Sequence, residues 1–192
     1  MRKVLDHSLN DISTFMGFYL LRAKAQLGHL GDALEMIREY RGAMLDLGAT
    51  TLWEDFDISW KENAARIDEI TPVGKADVHG DFGKYCYKQF RHSLCHGWAS
   101  GPASFLIEQV AGIKILEPGC KRIKISPNLG GLKWANITFP TPYGYVALKL
   151  KEDQGKTIYE ITAPEEILWD DYPKHCMRFV PSQADGLDHI PW

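Results

Sequence analysis

The feature that most constrains this chain is a change of hydrophobic period near Glu117-Pro118-Gly119. Before that point apolar residues recur at three and four; after it they recur at two. Helices and strands segregated in this way imply adjoining units rather than alternating βαβ. The expected class is therefore α+β and multidomain, with helices over 1–117 and a β unit with an irregular tail over 118–192.

In the first part, Ile12, Phe15, Met16, Tyr19, Leu20, Ala23 and Leu27 keep helical spacing, and Gly28 stops the run. This predicts a helix with that stripe facing the core. Phe18 and Leu21 fall outside the stripe, so the helix is expected to be covered on more than one side. A second helix is predicted to open at Asp32, with Glu35 three residues on as in a capping box. Its stripe is Ala33, Ile37, Tyr40, Met44 and Leu47, and Gly48 ends it. So short a connection makes the two helices an antiparallel hairpin. A third helix has Pro102 in its first turn, then Phe105, Leu106, Gln109 and Val110, with Gly112 near its end. Residues 49–92 lack a clean period and are rich in charge, rings and glycine. Loops of that length usually serve a site.

In the second part, Ile123 and Ile125 share one face of KRIKI. Ala135, Ile137 and Phe139 share another, as do Val146, Leu148 and Leu150. A hairpin is expected around Asp153-Gln154-Gly155, giving about four short strands in all. From Pro164 to Trp192 the chain is polar and aperiodic and reads as a loosely packed tail.

Charge excludes some functions. With 22 basic and 25 acidic residues the net charge is −3 and no basic-aromatic stripe occurs, so no nucleic-acid partner is expected. No apolar run is long enough to cross a bilayer, and the N-terminus MRKVLDHSLNDIS lacks the apolar core of a secretory signal. Cys86, Cys95, Cys120 and Cys176 form no C-x-x-C pair and read as free or buried thiols. Nucleotide-loop, zinc-protease and serine-hydrolase motifs are absent, and no metal or cofactor is expected.

The chemistry that remains is carboxylate-rich and aromatic. Trp53-Glu54-Asp55-Phe56-Asp57 sets three carboxylates among rings, with Trp60 near in sequence. Sugar sites have this character: rings stack on apolar sugar faces while carboxylates bind hydroxyls or move protons. Acidic residues after a helix end are also commonly just solvated, and three carboxylates in four residues would suit calcium. A second cluster, His92-Ser93-Leu94-Cys95-His96-Gly97-Trp98, enters the third helix. A histidine there could bind substrate or simply cap the helix. A Cys95–His96 catalytic pair is a weaker idea, since adjacent residues rarely face one another.

Four ordered motifs, GATTLWEDFD, SLCHGWASGP, ILEPGCKRIKISPNLGGLKWA and FPTPYGY, resemble the bacterial α-L-rhamnosidases of glycoside hydrolase family 78. The resemblance covers roughly residues 10–165. It implies a partial (α/α)6 toroid over 1–117, the C-terminal part of the catalytic domain, followed by a small antiparallel β-sandwich-like domain. It implies removal of terminal α-L-rhamnose from a glycoside or polysaccharide with inversion, Glu54 being the general base. His96 matches a sugar-contacting residue, and Trp53 and Trp98 would line the pocket, though either could equally be structural. The family's general acid has no counterpart here, so the chain alone is expected to be inactive. A different reading is a non-catalytic sugar-binding or interaction module of the same descent. A helical hairpin lacking a neighbour, built on Phe15, Tyr19, Ile37 and Met44, is further expected to self-associate.

Overall fold

The computed structural model describes residues 9–10, 12–78, 80–81 and 93–170, and the backbone of Cys176–Ser182. His92 and Cys86 lie outside them. The chain divides into two compact units, Met1–Phe105 and Leu106–Trp192.

The first unit is built on helix α1, Thr14–Gln26, and helix α2, Leu30–Asp46. Ser13 starts α1 by accepting the Met16 amide at 3.1 Å, which satisfies one of the open amides of the first turn. Both helices end in the same way. Gly28 and Gly48 adopt positive φ of 85° and 87°. Their amides reach back to Ala25 and Leu45, and the next residue's amide reaches Lys24 or Met44. This double bond satisfies the last carbonyls, and a left-handed residue is required to make it.

Two helical expectations need correction. Helix α2 begins at Leu30 rather than Asp32, and no capping box forms: His29 is the N-cap without a side-chain bond. Asp32 accepts from His29 Nδ1 at 3.1 Å, and Glu35 pairs with Arg38. Burial of Leu30 draws the helix start forward. In α1 the buried face is Thr14, Gly17 and Leu21, while Phe15, Met16 and Tyr19 are 38%, 55% and 50% exposed. Gly17 lies on the packed face, where a β-carbon would make ordinary contact with Ile12 at 3.5 Å and Met36 at 3.8 Å. Of the four residues expected on an open flank, Met44 is fully buried and Ile37 half-buried.

The core of this unit is a cluster of Tyr40, Met44, Leu47, Trp53, Phe56 and Val78 with small residues between them. Its rings meet edge to face: Tyr40 on Phe56 at 5.1 Å, Trp53 on Phe56 at 5.9 Å, and Trp60 on Phe56 at 5.7 Å. Helix α3, Gly101–Gln109, follows a turn of 3-10 helix over Gly97–Ser100.

Among the described residues the second unit holds seven strands in two sheets. Strands β1, Ile113–Ile115, and β2, Arg122–Ile125, pair antiparallel, and β6, Leu168–Trp169, lies parallel to β2. Strands β3, Trp134–Thr141, β4, Gly144–Asp153, and β5, Lys156–Pro164, form an antiparallel meander, and β7, Cys176–Ser182, adds parallel to β5. The β1 pairing brings residues before Glu117 into the sheet, so strand structure begins earlier than the period change indicates. The tail is likewise not structureless: β6 and β7 both come from it.

The turns follow from their residues. Gln154 and Gly155 both take positive φ, 48° and 79°, which is the two-residue hairpin expected at that place. The Pro142-Tyr143 connection is closed by the Thr141 hydroxyl, which donates to the Gly144 carbonyl at 2.7 Å. Alternation along β4 buries Val146, Leu148 and Leu150, and β5 buries Tyr159, Ile161 and Ala163. The result is a β-sandwich-like unit in which Ile123 and Ile125 are also buried.

Candidate active site

Glu54 sits at a bend in an irregular segment whose backbone bonds to residues 93–96. The Glu54 amide donates to the Ser93 carbonyl at 2.8 Å, and the His96 amide donates to the Leu52 carbonyl at 2.8 Å. The Thr51 hydroxyl donates to the Leu94 carbonyl. These bonds join two motifs some forty residues apart in sequence. They also place the side chains: the Ser93 amide donates to Glu54 Oε2 at 2.8 Å, and His96 Nδ1 stands 3.9 Å from the same oxygen.

Helices α1 and α2 hold the other side of this stretch. The Thr14 hydroxyl, at the first residue of α1, donates to the Glu54 carbonyl at 2.5 Å. Arg41 of α2 in turn donates to the Thr14 carbonyl at 2.8 Å, and its guanidinium lies 5.3 Å from the centre of the Tyr40 ring. Arg41 is buried, and that burial pulls its pKa down while the Tyr40 hydroxyl opposes the shift. Tyr40 adds a further anchor: its hydroxyl lies 2.7 Å from the Ile12 carbonyl and 2.5 Å from the Phe56 carbonyl. The backbone on both sides of Glu54 is therefore fixed by buried groups of the helical hairpin.

The three neighbouring carboxylates have different duties. Asp55 is buried. Asp57 caps the short 3-10 helix Ile58–Glu62 by accepting the Ser59 amide at 2.9 Å and hydroxyl at 2.6 Å. Glu54 keeps about a third of its side chain exposed, at 35%, beside a His96 of similar exposure. A carboxylate with one oxygen tied to an amide and a histidine within 4 Å can accept a proton from a bound water or hold a sugar hydroxyl. Among the described residues no three or more metal-ligating side chains converge, so the carboxylates do not assemble as a calcium cluster there.

The sequence-derived site residues separate into two groups. Glu54, His96 and Trp98 come together at the surface; the Trp98 ring is 6.5 Å from His96 and 74% exposed. Trp53 does not join them. Its side chain is fully buried in the core, and Nε1 has no hydrogen-bond partner among the described residues. Trp53, Asp55 and Phe56 are buried around Glu54, which alone of the four keeps about a third of its side chain exposed. Phe15 and Tyr19 were missed as site residues. Phe15 lies 5.5 Å from Trp98 and 5.3 Å from Tyr19, extending the exposed aromatic surface beside Glu54. Their exposure in a helix otherwise buried at Thr14, Gly17 and Leu21 is the signal that marks them. No helix among the described residues is long and apolar enough to cross a membrane.

Comparison with known proteins finds similarity in both parts of the chain. A family model for the bacterial alpha-L-rhamnosidase C-terminal domain matches residues 112–167. A family 78 rhamnosidase of Bacillus sp. GL1 is similar over 89% of this chain and 16% of its own, at 26% identity and a TM-score of 0.59. An alpha-L-rhamnosidase from Dictyoglomus thermophilum matches 80% of this chain and 15% of its own, at 20% identity and 0.55. One from Aspergillus terreus matches 74% and 15%, at 24% identity and 0.52. No curated protein matches the chain. The chain spans about one sixth of the length of the solved enzymes it resembles. Residues 112–167 thus match the C-terminal domain of the bacterial alpha-L-rhamnosidases, and most of the chain is similar to part of a family 78 rhamnosidase.

Proposed function

We propose that this chain works as part of an α-L-rhamnosidase, its helices belonging to an (α/α)6 catalytic toroid, and that Glu54 is the water-activating base of an inverting hydrolysis. The observation that carries this reading is the Glu54 carboxylate, pinned through one oxygen to the Ser93 amide, with His96 at 3.9 Å and an aromatic surface beside it. Inversion needs a carboxylic acid to protonate the leaving oxygen and a carboxylate to activate water on the opposite ring face, about 6.5–9.5 Å away. Glu54 fills the second role. Water held by Oε1 loses its proton there as the glycosidic bond breaks. His96 binds a rhamnose hydroxyl and keeps the sugar in line with that water. Trp98 stacks on the apolar face of the ring or its aglycone. The general acid comes from a part of the parent protein other than these residues, and the substrate is a rhamnose-terminated glycoside or polysaccharide.

Two measurements test the proposal. The 192-residue chain should give no turnover of an aryl α-L-rhamnoside, because it supplies the base alone. In the longer parent protein, Glu54→Gln should lower kcat at least about 10²-fold, within the range of general-base catalysis, with folding intact. Near-normal kcat in that variant would exclude Glu54 as the base. Turnover by the isolated chain that disappears in Glu54→Gln would mean that the acid lies among these residues.

A further inference from the structure

The solvent face of the β3-β4-β5 sheet carries a second, independent set of ligand-binding groups. Register places its side chains in two rows. One row is Trp134, Lys151 and Ile158; the next is Asn136, Lys149 and Glu160. The opposite face of the same residues' neighbours is the buried one, with Leu150, Leu148 and Ile161 turned inward. The two rows line a recess of about 610 Å³, with Lys133 and Glu152 at its rim. That is the size of pockets that hold small ligands, about 300–1,000 Å³.

Its chemistry is specific. Trp134 is 66% exposed, so its indole face is available. Lys133 and Glu152 pair at 3.3 Å, and Glu152 also accepts the Gly155 amide at 2.7 Å, so these two charges cancel at the rim. Neither Lys149 nor Lys151 forms an ion pair among the described residues, and Glu160 opposes them with a single charge. The floor therefore keeps an excess positive charge beside an exposed indole, Lys151 standing directly across from Trp134. An indole stacks on the apolar face of a pyranose, an asparagine amide donates to and accepts from hydroxyls, and an ammonium pair holds a carboxylate.

We propose that this groove binds an acidic oligosaccharide, with Trp134 stacked on one sugar ring, Asn136 bonding its hydroxyls, and Lys149 and Lys151 holding a uronate carboxylate. The assignment does not depend on the role of Glu54. A site of this kind would hold a rhamnose-bearing acidic polysaccharide against the protein.

Calorimetric titration of the whole chain with tri-mannuronate and with mannotriose tests it, because the two ligands differ in the carboxylate. Tri-mannuronate should bind at least tenfold more tightly, and added salt should shrink the difference, as screening requires. Trp134→Ala should weaken both ligands. The Lys149→Ala/Lys151→Ala pair should weaken the uronate at least tenfold and leave mannotriose unchanged. All three positions are exposed, and circular dichroism should report unchanged folding. Equal affinity for the two ligands, no binding of either, or full affinity in Trp134→Ala would overturn the proposal. So would a chain that sediments as a dimer until Trp134 is replaced.

Discussion

Replacing Tyr40 with phenylalanine isolates the group that ties both flanks of Glu54 to the helical hairpin. The ring stays: its edge contact with Phe56 and the guanidinium above it need no hydroxyl. What goes is the donor serving the carbonyls of Ile12 and Phe56 in a side chain that is 2% exposed. Leaving buried carbonyls without their donor costs about 1–3 kcal/mol. For a chain of this length a loss near 2 kcal/mol lowers Tm by about 4–8 °C. The hydroxyl also makes the difference depend on pH. Burial raises the folded-state pKa of Tyr40 above its usual value of 10.0. A raised pKa means stability that is complete below the unfolded value and lost as pH climbs past it. Above about pH 10 the unfolded phenol ionises while the folded one stays protonated, so the wild type loses about 1.4 kcal/mol per pH unit through this group. Tyr40→Phe has no such group, and all other titrations cancel between the two proteins. Urea unfolding followed by far-ultraviolet circular dichroism at pH 8, 10 and 11 should therefore show the gap narrowing above pH 10. A gap that stays constant from pH 8 to 11, or no gap at pH 8, would refute the reasoning.

His96→Ala in the parent protein should weaken rhamnose binding several-fold to tenfold, about one hydrogen bond, with KM rising more than kcat falls; unfolding with unchanged affinity in the soluble fraction would assign it a structural role instead. Gly112→Ala should destabilise the β unit by at least about 2 kcal/mol, since its φ is +66° and a β-carbon would meet the Ser126 carbonyl oxygen at 2.0 Å; limited proteolysis reads the loss, and a resistant variant would contradict it. The exposed Met16 and Leu45 are expected to be buried between two copies at micromolar concentration, and Met16→Lys/Leu45→Lys should shift sedimentation toward monomer. A wild-type chain that stays monomeric and binds no hydrophobic dye would show that this surface is content in water.

Much of the fold is written locally. Gly28 and Gly48 announce helix ends because their left-handed conformation is nearly exclusive to glycine. Gln154-Gly155 announces a hairpin, and alternation in KRIKI and along β4 shows which face is buried. Side-chain burial in α1 is not local. Hydropathy selects Phe15, Met16, Tyr19 and Leu27, but the packed face is chosen by what fits: Gly17 against Met36, and Phe18 against Gly101, where a β-carbon would stand 2.6 Å away. The strands of the tail are hidden for a related reason. β6 is two residues long, too short to show a period, and β7 contains Pro181, which a run accommodates at a sheet edge. At the site, Glu54 and His96 are named by their motifs. The bonds that join them cross some forty residues and have no local signature, and nothing in Trp53-Glu54 tells which of the pair faces the core.

The two parallel pairings of the β unit set an order on its assembly. β6 completes the sheet begun by β2, and β7 completes the sheet that ends in β5, so each sheet receives its last member from the final fifth of the chain. On a ribosome the meander β3-β4-β5 can form as soon as it emerges, but β5 then waits with one row of amides and carbonyls open to any passing strand. Closure comes only when residues 176–182 arrive. The row that β5 would leave open is thus paired by residues 176–182, and β7 becomes the edge of the sheet in its place.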